Sequence, residues 1–390
     1  MSADALLPLL KSTFGFDAFR GRQADVVGRV MAGAHTLAVM PTGAGKSLTY
    51  QLPAVALDGC VVVVSPLIAL MHDQLRGARA AGIRAASLTS VDADFADTRQ
   101  AYRDGQLDLL YIAPERATGE GFRSLMAARA PALFAIDEAH CVSEWGHDFR
   151  PDYRLLRPLL DAFPAVPRLA LTATADKHTR EDILVQLGIP AEGLILAGFD
   201  RPNIRYRIAP RGAPAKQLTE FIAANPGPGI VYCPTRDGTE RMAAKLAAAT
   251  GRSVAAYHAG LDPERRARVQ HDFVASEDGI VTATVAFGMG IDKPDVRFVA
   301  HAGLPKSIES YYQETGRAGR DGDPAEALML WGAEDFARAR MRLGDLPEDR
   351  LAGERARLNA LAALVESGEC RRALLLRHFG EDPPLRCGNC

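Results

Sequence analysis

The sequence predicts an α/β protein: two tandem parallel-sheet lobes followed by a small helical C-terminal segment. Short β-branched runs alternate with helix-length amphipathic segments, the pattern of parallel α/β sheets. The runs form two series, separated by Phe199-Asp200-Arg201-Pro202-Asn203 and by the Pro/Gly-rich stretch 209–214. That break reads as an inter-domain hinge. After Trp331 the strand signal ends, and helical segments lead to a cluster of cysteines.

The first series places strands at 36–40, 61–65, 109–112, 133–136 and 168–171, and the second at 229–232, 254–257, 279–282, 296–301 and 327–330. Helices are expected at 336–343, 348–366 and 371–379. The expected division is 1–200, 201–333 and 334–390. At about 150 residues per domain, 390 residues suit two or three domains.

Composition excludes several classes. With 47% hydrophobic and 24% charged residues, the chain is neither disordered nor low-complexity. Its longest uncharged apolar stretch, 60–71, is too short to span a bilayer. Asp4 and the lack of a basic n-region argue against a signal peptide. A soluble, cytoplasmic monomer without a membrane partner is expected. The formal charge is 46 − 48 = −2, so polyanion binding must rest on local Arg clusters or backbone N–H groups.

The run 36–40 enters Pro41-Thr42-Gly43-Ala44-Gly45-Lys46-Ser47, followed by an amphipathic helix. A strand, a glycine turn and a helix N-terminus aim N–H groups and a positive dipole end at phosphate. Thr42, Gly43, Ala44 and Gly45 supply the cradle, Lys46 reaches the β/γ-phosphates of ATP, and the Ser47 hydroxyl holds Mg²⁺. Met40 stands where the usual pattern has its first glycine.

The run 133–136 delivers Asp137-Glu138-Ala139-His140 at a strand end, where doubly wound sheets place ligands. There Asp137 would hold Mg²⁺ and Glu138 would orient and deprotonate the attacking water. Taken alone, such an acidic string reads equally as a solvated turn. The third element, Gln313-Glu314-Thr315-Gly316-Arg317-Ala318-Gly319-Arg320, lies in the second lobe. Two Arg three apart can project from one helical turn as arginine fingers toward a γ-phosphate. They can also solvate a helix surface. An ATP site shared by two lobes would open and close a cleft through hydrolysis.

Only two Trp occur, and Trp145 lies on a polar loop with Gly146, His147, Phe149 and Arg150. An exposed indole or Phe149 can stack on an unpaired base, worth about 1–3 kcal/mol, which offsets one base-pair step of about 1.4 kcal/mol. The alternative is packing against the next helix. Ser65, Thr235 and Arg236 sit at strand ends and suit backbone phosphates, although each hydroxyl could equally cap a helix. Cys370, Cys387 and Cys390 have structural-zinc spacing, but a closed site takes four ligands. Free thiols are the other reading.

Together these residues resemble RecQ-type DNA helicases of superfamily 2 over nearly the whole chain, and the resemblance implies RecA-like lobes and a zinc-binding segment. Met40 matches the helicase form of the phosphate loop. Phe14-Gly15-Phe16, Arg20 and Gln23 resemble the family's adenine-reading segment, which implies that Gln23 bonds the base edge, Arg20 assists and Phe16 stacks. Segments 40–50, 64–71 and 111–116 are similar to the first three motifs, and 137–153 to the acidic motif joined to an aromatic-rich loop. Leu171-Thr172-Ala173-Thr174 resembles the coupling motif. Segment 231–236, Tyr257-His258-Ala259-Gly260 and 283–294 resemble second-lobe motifs, in which Gly290 and Asp292 approach the nucleotide.

The resemblance implies that Trp145, His147, Phe149 and Arg150 sense single-stranded DNA and signal through His140, with Thr172 and Thr174 coupling. It also implies catalytic roles for Gln313, Arg317 and Arg320, and a fourth zinc cysteine just past residue 390. The expectation is thus an ATP-dependent DNA helicase core moving 3′ to 5′ on single strands and opening partial duplexes in repair and recombination. The rivals are an RNA helicase and an ATP-gated nucleic-acid clamp.

Overall fold

The computed structural model describes residues 3–66, 68–89, 95–146, 148–287, 293–344, 346 and 348–390. The chain divides between Gly198 and Phe199 into two compact units.

In the first unit the strands are β1 (Thr36–Val39), β2 (Val61–Val64), β3 (Ala85–Leu88), β4 (Leu109–Ile112), β5 (Leu133–Ile136), β6 (Arg168–Thr172) and β7 (Leu194–Leu196). They form one sheet in the order β3-β4-β2-β5-β6-β1-β7, with every pair parallel. The strands are short apolar runs because helices cover both faces. Val61, Val63, Leu109, Tyr111, Leu133, Ala135, Leu169 and Leu171 fall in one core cluster with Val26, Tyr50, Ala54 and Met71. Those strand positions alternate with period two, which puts them on one face of the sheet.

The second unit carries β8 (Ile204–Pro210), β9 (Gly229–Tyr232), β10 (Val254–Tyr257), β11 (Ile280–Ala283), β12 (Phe298–His301) and β13 (Ala325–Trp331), in the order β10-β11-β9-β12-β13-β8. These pairs are also parallel. Three strands fall outside the sequence expectation. β3 reads Ala-Ala-Ser-Leu and β7 Leu-Ile-Leu, with no alternation to reveal them.

β8 corrects the hinge. Residues 209 and 210, expected in a linker, end a strand that pairs with β13 from Ile204↔Ala325 to Pro210↔Trp331. Its buried Ile204 and Tyr206 alternate with exposed Arg205 and Arg207. An edge strand tolerates its terminal Pro210.

The helices Ala333–Leu343, Glu348–Glu366 and Arg371–His378 belong to the second unit. Phe379 stacks on Phe199 with ring centroids 4.4 Å apart and meets Tyr312 at 4.9 Å. Arg372 pairs with Asp200 through two hydrogen bonds. His378 Nε2 lies 2.6 Å from Glu309 Oε1. Among the described residues, no helix is long and apolar enough to cross a membrane.

Candidate functional site

Adjacent strands β5, β6 and β1 end side by side in the first sheet, and their carboxyl ends carry Asp137, Thr172 and the phosphate-type loop 41–47. Carboxyl ends of parallel strands are where open α/β sheets bind ligands. Gly43 and Gly45 adopt positive φ of 85° and 70°, which turns the chain into the helix Leu48–Ala56. A Cβ on Gly45 would sit 2.5 Å from Gln23 Nε2, the tip of a flexible side chain, so it is the positive φ that favours glycine there.

Gln23 is buried, at 3% exposure. Its Nε2 donates to Ala44 O at 2.9 Å and to Gly45 O at 3.3 Å, while Oε1 accepts from the Arg20 N–H at 2.8 Å. The residue that the resemblance assigns to the adenine edge therefore braces the loop backbone. Phe16 is exposed beside it, with the Arg20 guanidinium 5.5 Å from its ring centroid. Lys46 Nζ donates to Met40 O at 3.4 Å.

Asp137 is buried. Tyr153 Oη donates to its carbonyl at 2.9 Å, and the Glu138 N–H donates to its Oδ1 at 3.0 Å. Burial, and then the adjacent Glu138 carboxylate, pushes Asp137 up to about 7 against the pull of Lys46. A buried carboxylate in that setting is suited to a divalent cation, and hard oxygen ligands are the donors Mg²⁺ takes. Asp137 and the Ser47 hydroxyl fit that role.

Glu138 has φ of +47°, the one non-glycine residue with positive φ among those described. Such strain concentrates at functional sites. Its Oε2 lies 3.4 Å from His140 Nδ1. That same nitrogen is 3.0 Å from Thr172 Oγ1, and the Thr174 N–H donates to Thr172 Oγ1 at 3.3 Å. The acidic motif and the coupling motif are thus joined through one buried imidazole.

The aromatic-rich loop folds back on this imidazole's own backbone. A Cβ on Gly146 would stand 2.2 Å from His140 O, so only glycine allows the approach. Trp145 is 54% exposed, although its ring lies 6.3 Å from that of His178. It is not a core anchor. Phe149 carries the Arg154 guanidinium 5.2 Å from its ring centroid. Arg150 donates to Pro66 O at 2.9 Å and to Asp148 Oδ2 at 3.0 Å, which ties the loop to the end of β2. There Ser65 Oγ is buried without a hydrogen-bond partner among the described residues. His147, Gly290 and Asp292 lie outside the described residues.

In the second unit, Thr235 Oγ1 accepts from the Gly238 N–H at 3.0 Å and caps the helix Arg236–Thr250, while Arg236 is exposed. The helix carrying Gln313, Ile308–Thr315, ends before Arg317. Arg317 and Arg320 therefore project from a turn and not from a helical repeat. Sequence reading missed what braces that turn. Arg201 donates to Gly316 O, Ala318 O and Gly319 O at 3.0, 2.7 and 3.0 Å. Asn203 Nδ2 donates to Gly319 O at 2.8 Å and to Asp323 O at 2.9 Å. The carbonyls that would continue the helix are thus bonded to side chains from residues first read as linker. Arg317 is 6% exposed and keeps its Nε without a partner among the described residues.

The Sγ atoms of Cys370, Cys387 and Cys390 lie within 4.8 Å of one another, with Cys370 and Cys390 at 3.5 Å. Zn–S bonds of 2.3 Å in a tetrahedron put sulfurs about 3.8 Å apart, so the trio fits zinc. Burial opposes ionisation of Cys370, but the Ala373 N–H and the two neighbouring thiols bring it down to about 7. Burial, with the thiols of Cys370 and Cys390, pushes Cys387 up to about 11. His378, eight residues after Cys370, is bonded to Glu309.

Residues 20–183 match the DEAD/DEAH box helicase family, 214–322 the helicase conserved C-terminal domain and 333–390 the RecQ zinc-binding domain. The chain is 46% identical over 390 residues to the ATP-dependent DNA helicase RecQ of Haemophilus influenzae, covering 98% of this chain and 62% of that protein. It is 44% identical to the RecQ of Pasteurella multocida, covering 98% and 61%. The chain belongs to the RecQ family of helicases. It spans about three fifths of the length of these bacterial RecQ relatives.

At the level of fold alone, this RecQ-family chain is similar to the DUF1998 helicase MrfA bound to DNA, with a TM-score of 0.70, 18% identity, and coverage of 87% of this chain and 52% of that one. It is also similar to the Mycobacterium smegmatis helicase Lhr bound to ssDNA and AMP-PNP, with a TM-score of 0.63, 20% identity, and coverage of 90% and 56%.

Proposed function

We propose that this chain is the ATP-driven motor core of a DNA helicase that couples hydrolysis to 3′-to-5′ movement on single-stranded DNA and to duplex opening. The observation that supports it most is the row of neighbouring strand ends bearing the phosphate loop, Thr172 and Asp137-Glu138, with His140 joining the last two.

In this reading the loop amides and Lys46 hold the β- and γ-phosphates of ATP. Asp137 and Ser47 would hold Mg²⁺, which when bound would supply positive charge at the transferred phosphoryl group. Glu138 orients the attacking water and takes its proton. Arg317, Arg320 and Gln313 are the second lobe's groups for the terminal phosphate, and the Arg317 Nε, without a partner among the described residues, is a donor available to such an anion. Phe16 and Arg20 meet the base, and Gly290 and Asp292 the sugar. Trp145, Phe149 and Arg150, together with Ser65, Thr235 and Arg236, engage DNA, while Cys370, Cys387 and Cys390 hold a structural zinc.

The test is ATP hydrolysis with and without single-stranded DNA, paired with strand displacement on a 3′-tailed and a 5′-tailed duplex. Stimulated hydrolysis with opening of the 3′-tailed substrate is expected. Stimulation without opening on either tail would make the chain an ATP-gated clamp, and stimulation by RNA alone would make it an RNA motor. Lys46→Ala should abolish hydrolysis, and normal turnover in that variant would remove the phosphate-site assignment.

A further inference from the structure

We propose that Arg201 is a positioning residue for Arg317 and Arg320, its guanidinium fixing the peptide that enters each of them. The inference rests on the reading of those two arginines as groups for the terminal phosphate, and it adds the residue that aims them.

Arg201 Nη1 donates to Gly316 O at 3.0 Å, and Nη2 donates to Ala318 O at 2.7 Å and to Gly319 O at 3.0 Å. Gly316 O belongs to the peptide joined to the Arg317 nitrogen, and Gly319 O to the peptide joined to the Arg320 nitrogen. A peptide is planar, so a carbonyl held in place fixes the plane from which the next residue departs. One fork thus sets the backbone leading into both arginines. The turn is otherwise irregular. The helix Ile308–Thr315 has ended, Gly319 has left the helical region with φ of +56°, and a Cβ there would stand 2.7 Å from Asp323 O. Asn203 Nδ2 adds a further donor to Gly319 O at 2.8 Å.

The base from which Arg201 works is itself fixed. Phe199 stacks on Phe379, and Tyr312 Oη donates to Phe199 O at 2.7 Å. Arg372 holds Asp200, and the N–H of Ile204, which opens β8, donates to Arg201 O at 3.1 Å. All of these residues lie in the second unit. The fork faces main-chain carbonyls, so Arg201 acts through the turn and not on phosphate.

The alternative is that Arg201 only caps the end of the helix Ile308–Thr315, as basic side chains near a helix C-terminus do. Arg201→Gln removes the fork and separates the two. Losing the brace of groups that act chiefly in the transition state should lower kcat for DNA-stimulated hydrolysis about tenfold. It should weaken binding of ADP with aluminium fluoride, a mimic of the phosphoryl group in transfer, to a similar extent. KM for ATP and the affinity for ADP alone should remain within about twofold. A mere helix cap would lower the melting temperature without producing that split. Arg201→Lys keeps the charge but offers a single ammonium in place of the fork, and it should fall between Arg201→Gln and the wild type. Wild-type kcat in Arg201→Gln, or a loss of ADP affinity equal to that for the aluminium fluoride complex, overturns the proposal. If Arg201→Gln melts below the assay temperature, Arg201→Lys is read by the same criteria, and unfolding of both variants overturns the proposal as well. Arg317→Ala and Arg320→Ala guard the premise: if both hydrolyse normally, the role of the two arginines itself fails, whereas an inactive Arg317→Ala beside a normal Arg201→Gln sinks only the positioning role.

Discussion

His140 Nδ1 lies 3.0 Å from Thr172 Oγ1 and 3.4 Å from Glu138 Oε2, so one buried ring bridges the carboxylate next to the scissile phosphate in the proposed mechanism and the strand end beside the phosphate loop. Buried polar links of this kind are cooperative and sensitive to deletion. His140→Ala should reduce DNA stimulation of hydrolysis about tenfold or more, with ATP affinity within about twofold. Thr172→Val should reproduce the loss. Full stimulation in both variants would show that the bond only packs the core.

Trp145 is more than half exposed on a loop pinned by Gly146 and Arg150. Its truncation should cost little folding stability, within about 0.5 kcal/mol. DNA stacking on an indole is worth about 1–3 kcal/mol per base, so Trp145→Ala should keep basal hydrolysis and lose most of its stimulation by single-stranded DNA. Unaltered stimulation would return Trp145 to its neighbour His178 as a packing partner.

The pair Glu309–His378 fastens the last helix, Arg371–His378, to the helix Ile308–Thr315. Burial alone would raise Glu309, but the His378 hydrogen bond and charge hold it down at about 2, against an ordinary 4.5. A carboxyl depressed on folding stabilises above its unfolded value and loses that contribution as pH falls. The stabilisation should therefore be complete above about pH 4.5 and vanish toward pH 2. Removing one partner strands the other in a buried site, so His378→Ala should cost about 3 kcal/mol near pH 6. Urea unfolding of both proteins at several pH values checks this, and a difference that does not shrink on acidification would reject the pair as its source.

The three clustered thiols should bind one zinc per chain, seen by native mass spectrometry, and Cys370→Ser should abolish it. Bound metal deprotonates its ligands, so zinc uptake should release protons. A metal-free mass spectrum after incubation with zinc would leave the trio as thiols.

Local chemistry was legible in advance. The candidate phosphate loop, the acidic string after the fourth expected strand and the paired cysteines each have their candidate ligand atoms within a few residues, so spacing alone singles them out as candidates. Ten strands were readable because each is a short apolar run flanked by turns. Strand β3, made of Ala, Ala, Ser and Leu, gave no such contrast. Strand β8 sits among the Arg and Pro residues of what looked like a linker.

The two-lobed α/β architecture and the candidate site residues could be read along the chain, because hydrophobic period and motif spacing are local. Tertiary structure alone decided which partners the key side chains take. Gln23 bonds a loop 21 residues away, Arg201 and Asn203 hold a turn more than 110 residues away, and Thr235 spends its hydroxyl on a helix cap. Those choices depend on which strand ends lie side by side and on the requirement that every buried donor find an acceptor, and neither is written in any short stretch of the chain.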